Sequence, residues 1–364
     1  MKFFLLGAAL AGLATAAPHW DIQYRYQHAE NQLTLNDLSF PSAERGIACG
    51  YTTDRRGNNR SLVLVSSDGG TQWTEVQVRE TGIALFFLDD SAGWMATDRG
   101  VWATAESGRS WNKLVNAPSG ILRLWFSDRN HGFAIGSRKR IFETKNGGDS
   151  WTLLPVVSEV QGDPQYSSFG EIAFSGKNGM ISGWNLPPRA VQPAKGEAPP
   201  EIPRLTTMLE TRDGGATWKK NEISLFGQIT RLSLTPQGTG LGLIEFKDNF
   251  DYPSEVYRLN LYNGKSERVL RRKDHAVTAV RLFAGSIQAV VAGYEITGPV
   301  FRSVVPGKLR VLTTTDYVNW TDMNVDARAV AHNAIIAGPD ENNLWIATDT
   351  GMILHLVIPV PNTQ

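Results

Sequence analysis

One eight-residue stretch constrains the fold of this chain more than any other, because degraded copies of it return along the sequence: Ser66-Ser67-Asp68-Gly69-Gly70-Thr71-Gln72-Trp73. Thr104 to Trp111, Thr144 to Trp151 and Thr211 to Trp218 repeat it, and Thr314 to Trp320 is a worn fifth copy. Its acidic or amide position falls at 68, 106, 146, 213 and 316. The first two intervals are one unit each, the third is a unit with an insertion, and the last holds two longer units with a missing copy. A recurring period of this size marks a chain built from stacked supersecondary units.

Turn chemistry explains each copy. An Asp or Asn side chain accepts hydrogen bonds from backbone N–H groups slightly further on, and Gly supplies the positive φ of a tight hairpin. The Ser/Thr before the turn and the Trp after it lie at strand ends, where the indole covers the turn. Asp68 with Trp73, Glu106 with Trp111, Asn146 with Trp151, Asp213 with Trp218 and Asp316 with Trp320 are therefore expected to be structural latches. The pattern Ser/Thr-x-Asp-x-Gly-x-Thr-Trp resembles the Asp-box (BNR) repeat of β-propellers. That resemblance is specific for architecture and not for function, since such boxes occur in glycosidases, sorting receptors and assembly factors alike.

The N-terminus reads as a targeting segment. Met1-Lys2 is a short charged start, Phe3 to Leu13 is apolar but too short to span a bilayer, and Ala14-Thr15-Ala16 offers an A-x-A cleavage site. The expectation is a signal peptide over 1–16 and a periplasmic or extracellular product. Cys49 is the single cysteine, with no internal disulfide open to it, and its apolar company reads as a buried strand residue. Lys plus Arg and Asp plus Glu both number 36, giving zero formal charge. Such a balance argues against nucleic acid or an anionic membrane as the main partner. His19, His28, His131, His275, His332 and His355 are scattered without ligand spacing, so neither a metal site nor a cofactor is expected.

Taken in order, the chain has many short alternating runs punctuated by 35 Gly and 18 Pro, and no sustained helical period. Ile22, Tyr24 and Tyr26 form a lone half-buried strand. Units then run over about 35–78, 83–114 and 121–154, each with a first strand ending at Asp, a turn at Gly, a second strand, and a third entering the box. The fourth unit, from 169 to its box at Asp213, is interrupted by the Pro-rich 186–204, which reads as a stiff protruding loop. The fifth, about 228–270, has lost the box and carries an insert from Phe246 to Tyr252. The sixth is about 277–325. The seventh, about 329–358, is one strand short, which the Ile22 strand would supply. The fold expected is all-β: a seven-bladed propeller of four-stranded antiparallel blades over 17–364, closed by an N-terminal strand in the last blade.

The unit from Ile121 to Trp151, with Asp128, Gly132-Phe133-Ala134-Ile135-Gly136 and Gly147-Gly148-Asp149-Ser150-Trp151, resembles the repeat of the photosystem II stability/assembly factor family of seven-bladed propellers. Members in photosynthetic organisms are non-enzymatic lumenal factors that aid assembly of a membrane complex. This chain lacks that form's lipid-anchor cysteine and marked net charge, so the resemblance implies a protein-binding scaffold before it implies any one partner.

First strands of propeller blades line the central channel. Aligned on the apolar residue before the turn, they bring Asp37, Arg123, Glu171, Arg231 and His332 to one register, with Ala84 in the second blade and Val280 or Arg281 in the sixth. A mixed-charge ring around one mouth is thus the candidate binding surface. The rival is a carbohydrate-active enzyme. Sialidases share the boxes but need an Arg-Ile-Pro signature, and Glu201-Ile202-Pro203-Arg204 has the wrong order. A glycosidase needs two carboxylates across a cleft; Asp89, Asp128, Asp248 and Asp251 qualify by type only, and the first two recur as turn residues. The function expected is a non-enzymatic scaffold for a protein partner.

Overall fold

A computed structural model describes residues 17–28, 30–186, 203–246, 250–298 and 303–359. The expected signal peptide, most of the Pro-rich loop and the centre of the Phe246–Tyr252 insert lie outside them. The chain is all-β: seven sheets, six of them built from consecutive antiparallel strands, form the blades of a propeller ring. Five are simple meanders of four strands, and the sixth adds the short Val330–Ala331 on Gly307–Thr314. Blade 1, for example, runs Asn31–Ser39, Gly46–Asp54, Asn59–Ser66 and Thr74–Gln77.

The seventh sheet closes the ring as expected. Ala334–Asp340, Asn343–Thr348 and Met352–Val357 come from the C-terminal end, and His19–Arg25 pairs antiparallel with Met352–Val357. A short stretch, Asn324–Val325, adds to the outside of His19–Arg25 in parallel. Trp20 is fully buried in this seam, with its indole N–H on Met323 Sδ at 3.4 Å. Closure leaves only the short outer strands as edges, which limits strand-to-strand aggregation.

The core lies between blades rather than within them. Phe133, Ile135 and Ile141 of blade 3 pack on Phe169, Ile172, Ile181 and Leu209 of blade 4, and comparable clusters occupy other junctions. The boxes fasten this packing. In each of the first four, the opening hydroxyl accepts the N–H four residues on: Gly70 to Ser66 at 2.8 Å, Gly108 to Thr104 at 3.1 Å, and Gly148 to Thr144 and Gly215 to Thr211 at 2.9 Å. Asp68, Asn146 and Asp213 accept the N–H of Gln72, Ser150 and Thr217, each at 2.9 Å. Glu106, one methylene longer, instead takes the Ser110 hydroxyl. Asp316 makes the same turn one residue tighter, accepting from Val318 and Asn319.

The box tip also ties to the turn between first and second strands of its own blade. The N–H groups of Gly69, Ser107, Gly147 and Gly214 donate to the carbonyls of Glu44, Ser91, Asn130 and Lys177. Box indoles Trp73, Trp111, Trp151 and Trp218 stand edge-on to Phe40, Phe87, Phe126 and Phe174, which end the first strands. Among the remaining tryptophans, Trp94, Trp125 and Trp345 stack across blade junctions, Trp125 on Phe174. Trp94 stacks on Phe126 and donates to Gly147 O at 3.0 Å; Trp345 stacks on Phe40 and donates to Gly69 O at 3.0 Å.

Candidate functional site

Six of the seven first strands carry a β-bulge at the same place, between 35 and 37, 82 and 84, 121 and 123, 169 and 171, 229 and 231, and 277 and 279. A bulge adds a residue and re-aims the side chains beyond it. Here it lets buried positions succeed one another as Leu35, Leu38, Phe40 or Ile121, Leu124, Phe126, a step of three and then two. The residues left over face the channel. One layer then holds Asp37, Ala84, Arg123, Glu171, Arg231, Ala279 and, by pairing register in blade 7, Ile335. The next layer towards the mouth holds Ser39, Phe86, Trp125, Ala173, Ser233, Arg281 and Ala337. All but Ala84 line a cavity of about 540 Å³ that opens where the first strands end.

Four of the expected ring residues therefore come together. Arg123 Nε lies 3.4 Å from Glu171 Oε2. Asp37 accepts N–H groups from Leu38 at 2.9 Å and from Leu85 of the next blade at 2.8 Å. Arg123 and Arg231 each turn one Nη1 back to the carbonyl of the bulge residue, Leu122 and Thr230. Burial pushes the Asp37 and Glu171 carboxyls up, against the pull of Arg123 and Arg231. For Arg123 burial works downward, but Glu171 and Asp37 outweigh it and hold the guanidinium above its usual range. Cys49 pairs with Asp37 in the ladder and is fully buried, its thiol pushed well up by that burial.

Two expectations change. Arg281 lines the cavity but one layer nearer the mouth, because Ala279 follows the bulge in blade 6. His332 is not in the ring. It precedes the first strand of blade 7 by two residues, with Nδ1 3.3 Å from Asp349 and Nε2 3.2 Å from Val304 O, and Ile335 takes the channel position. Alignment on the turn alone misplaces both; the three-then-two apolar spacing of Val277, Val280 and Leu282 places Arg281, and pairing register places Ile335 in blade 7. Phe86 and Trp125 are further cavity walls that the alignment does not single out, because it compares one register of the first strands alone.

The box residues hold turns and lie away from the cavity, as expected. So do Asp89 and Asp128, whose Oδ1 atoms accept N–H groups of Ser91 and Ala92, and of Asn130 and His131. Among the described residues, no group of His, Cys, Asp and Glu side chains could hold a metal ion, and no helix is long and apolar enough to cross a membrane.

Ring, boxes and channel define the class: a seven-bladed Asp-box propeller with a charged, aromatic-walled mouth. Residues 121–186 match the family model described as photosynthesis system II assembly factor YCF48. The chain is 33% identical over 97 residues to the chloroplastic photosystem II stability/assembly factor HCF136 of Oryza sativa subsp. japonica, covering 27% of this chain and 18% of that protein. It is 24% identical over 223 residues to a xyloglucanase of a Paenibacillus species, covering 49% of this chain and 21% of that protein. The matches thus span about a fifth of these relatives. The solved structure titled "YCF48 bound to D1 peptide" shares the fold with a TM-score of 0.59 at 16% identity, over 93% of this chain and 97% of that one. The chain is accordingly a photosystem II stability/assembly factor-like propeller in repeat and fold.

Proposed function

We propose that this chain is an exported, non-enzymatic scaffold that holds a protein partner at the channel mouth, as an assembly or stability factor for a membrane complex. The observation that carries this reading is the mouth itself. Its charged layer and its Phe86 and Trp125 walls are positioned by recurring bulges, and besides their contacts across the blade junctions they line an open cavity. Polar anchors beside flat apolar walls are the composition of a recognition site. The relatives support a protein partner: one is a photosystem II stability/assembly factor, and one shared fold is titled as bound to a D1 peptide. Export rests on the reading of residues 1–16.

The rival comes from the xyloglucanase match. Against it, the two cavity carboxylates are already engaged. Asp37 accepts two backbone N–H groups, and Glu171 is paired with Arg123. A hydrolytic pair needs one carboxylate kept ionised to attack or activate water, and burial pushes both of these carboxyls up.

The test is affinity capture from the host's envelope fraction with the chain lacking residues 1–16, beside an Ala284→Trp variant. Ala284 is exposed on the rim, so the indole obstructs the mouth without entering the core. A protein enriched by the parent chain and lost with the variant is expected. Release of reducing ends from xyloglucan, or capture of polysaccharide alone, would overturn the proposal.

A further inference from the structure

The cavity holds one charge that its own ring does not answer. Asp37, Arg123, Glu171 and Arg231 balance as two carboxylates against two guanidiniums, and each carboxylate feels both cations of that set. Arg281 stands apart from them, one layer nearer the mouth. Its Nη2 donates to Gly338 O at 2.9 Å, while its Nε is buried with no acceptor among the described residues. No carboxylate among the described residues pairs with it; burial alone acts on the group, and lowers it. A guanidinium partly removed from water, with its Nε–H unpaired and no counter-ion, is unfavourable, and an anion arriving in the cavity relieves it.

The surroundings select the anion. Ser39, Ala173, Ser233 and Ala337 are small, so space lies open beside the guanidinium in its own layer. Phe86 and Trp125 supply flat apolar walls in that layer. Arginine offers a planar fork matched to a carboxylate, and a free Nε–H is one prong of it. One unanswered positive charge suits a monoanion, whereas a phosphate dianion would also meet Asp37 and Glu171 one layer below.

We propose that Arg281 anchors a carboxylate-binding subsite in the channel mouth, which takes an acidic side chain or a chain end of a peptide whose adjoining part lies on Phe86 and Trp125. This rests on the mouth being the binding face, and it is testable without any partner. In the 15N-labelled chain the Arg281 Nε–H signal is followed while acetyl-Ala-Ala-Ala free acid, its C-terminal amide, acetyl-Ala-Glu-Ala-amide, acetyl-Ala-Gln-Ala-amide and inorganic phosphate are added in turn.

A saturable shift with at least one carboxylate peptide, absent with its uncharged counterpart, is expected. The tighter of the two acids names the source. Arg281→Met should raise the Tm of the free protein, since it removes an unanswered charge, and should abolish the Tm increase that the acid produces. No saturable shift with either acid, equal shifts with acid and amide, or tighter binding of phosphate would overturn the subsite. A lower Tm for Arg281→Met would do so too, marking the residue as part of the fold; should that variant not fold, the titration of the parent chain decides. A partner captured at the mouth while Arg281 ignores carboxylates would sink the subsite and leave the scaffold standing.

Discussion

At the scale of single residues, the hydroxyl opening each box does more than its size suggests. Ser66 accepts the buried N–H of Gly70, so Ser66→Ala strands a donor and should destabilise by about 1–3 kcal/mol in urea unfolding. Thr144→Ala and Thr211→Ala should cost similar amounts, for the same reason. Acid response comes from the turn carboxylates. Backbone and side-chain hydrogen bonds hold Asp68 and Asp316 below the usual range and Asp213 at about 2, while Glu80, despite its burial, is brought to about 2 by Lys113, Thr97 and Trp102. Their folded values lie below the unfolded ones, so their stabilisation is present above about pH 4 and is lost as pH falls towards about 2.

His275 extends the effect upward. It is fully buried with neither ring nitrogen hydrogen-bonded among the described residues, and that burial, with Arg310 and Arg272 adding, lowers it to about 3. The unfolded chain takes up its proton first, so stability falls as pH drops below about 6.5. Asp37 and Glu171, raised by burial, work with the opposite sign and oppose acid unfolding. His275→Leu should therefore flatten the stability profile between about pH 6.5 and 3, measured by urea melts across that range. An unchanged slope would show that His275 does not titrate as described.

At the scale of elements, boxes are legible in the sequence and their companions are not. Asp, Gly and Trp at fixed offsets report turn chemistry, which is local, so the five boxes and the closing strand can be read from the chain. Trp94 and Trp345 serve neighbouring blades, and nothing close in sequence to either announces the Phe126 or Phe40 face it meets. The bulge sits between these cases. Its apolar three-then-two step is written in the first strands, but alignment on the residue before the turn passes over it, and in blade 7 that alignment gives His332 the place that Ile335 fills. Trp345→Ala should cost about 3–5 kcal/mol, because it removes the stack on Phe40 and the hydrogen bond to Gly69 O across the closing junction. Deleting the chain through Arg25 should go further and replace one cooperative melt by a broadened one, since His19–Arg25 seals the last blade.

For the whole molecule, the same first strands join the blades and line the mouth. Apolar residues of each first strand pack on the neighbouring blade, and the channel layers, which differ from blade to blade, add ties of their own from Asp37 to the Leu85 N–H, Arg123 to Glu171 and Arg281 to Gly338 O. Charged, aromatic and small side chains mingle there as no repeat would dictate. The ring's charges are nonetheless interdependent. Arg123→Met leaves Glu171 buried without its partner and should cost about 3–5 kcal/mol, whereas Arg123→Met combined with Glu171→Leu should cost less than Arg123→Met alone. Repeat and fold are like those of the photosystem II stability/assembly factors, and the mouth is where this chain's own recognition would reside. The most direct measurement is hydrogen exchange of the chain, free and with its captured partner. Protection is predicted at the first-to-second-strand turns around the mouth, including 40–45, 88–92 and 283–288. Protection confined to the opposite face of the ring, around 55–58 and 138–139, would contradict the account.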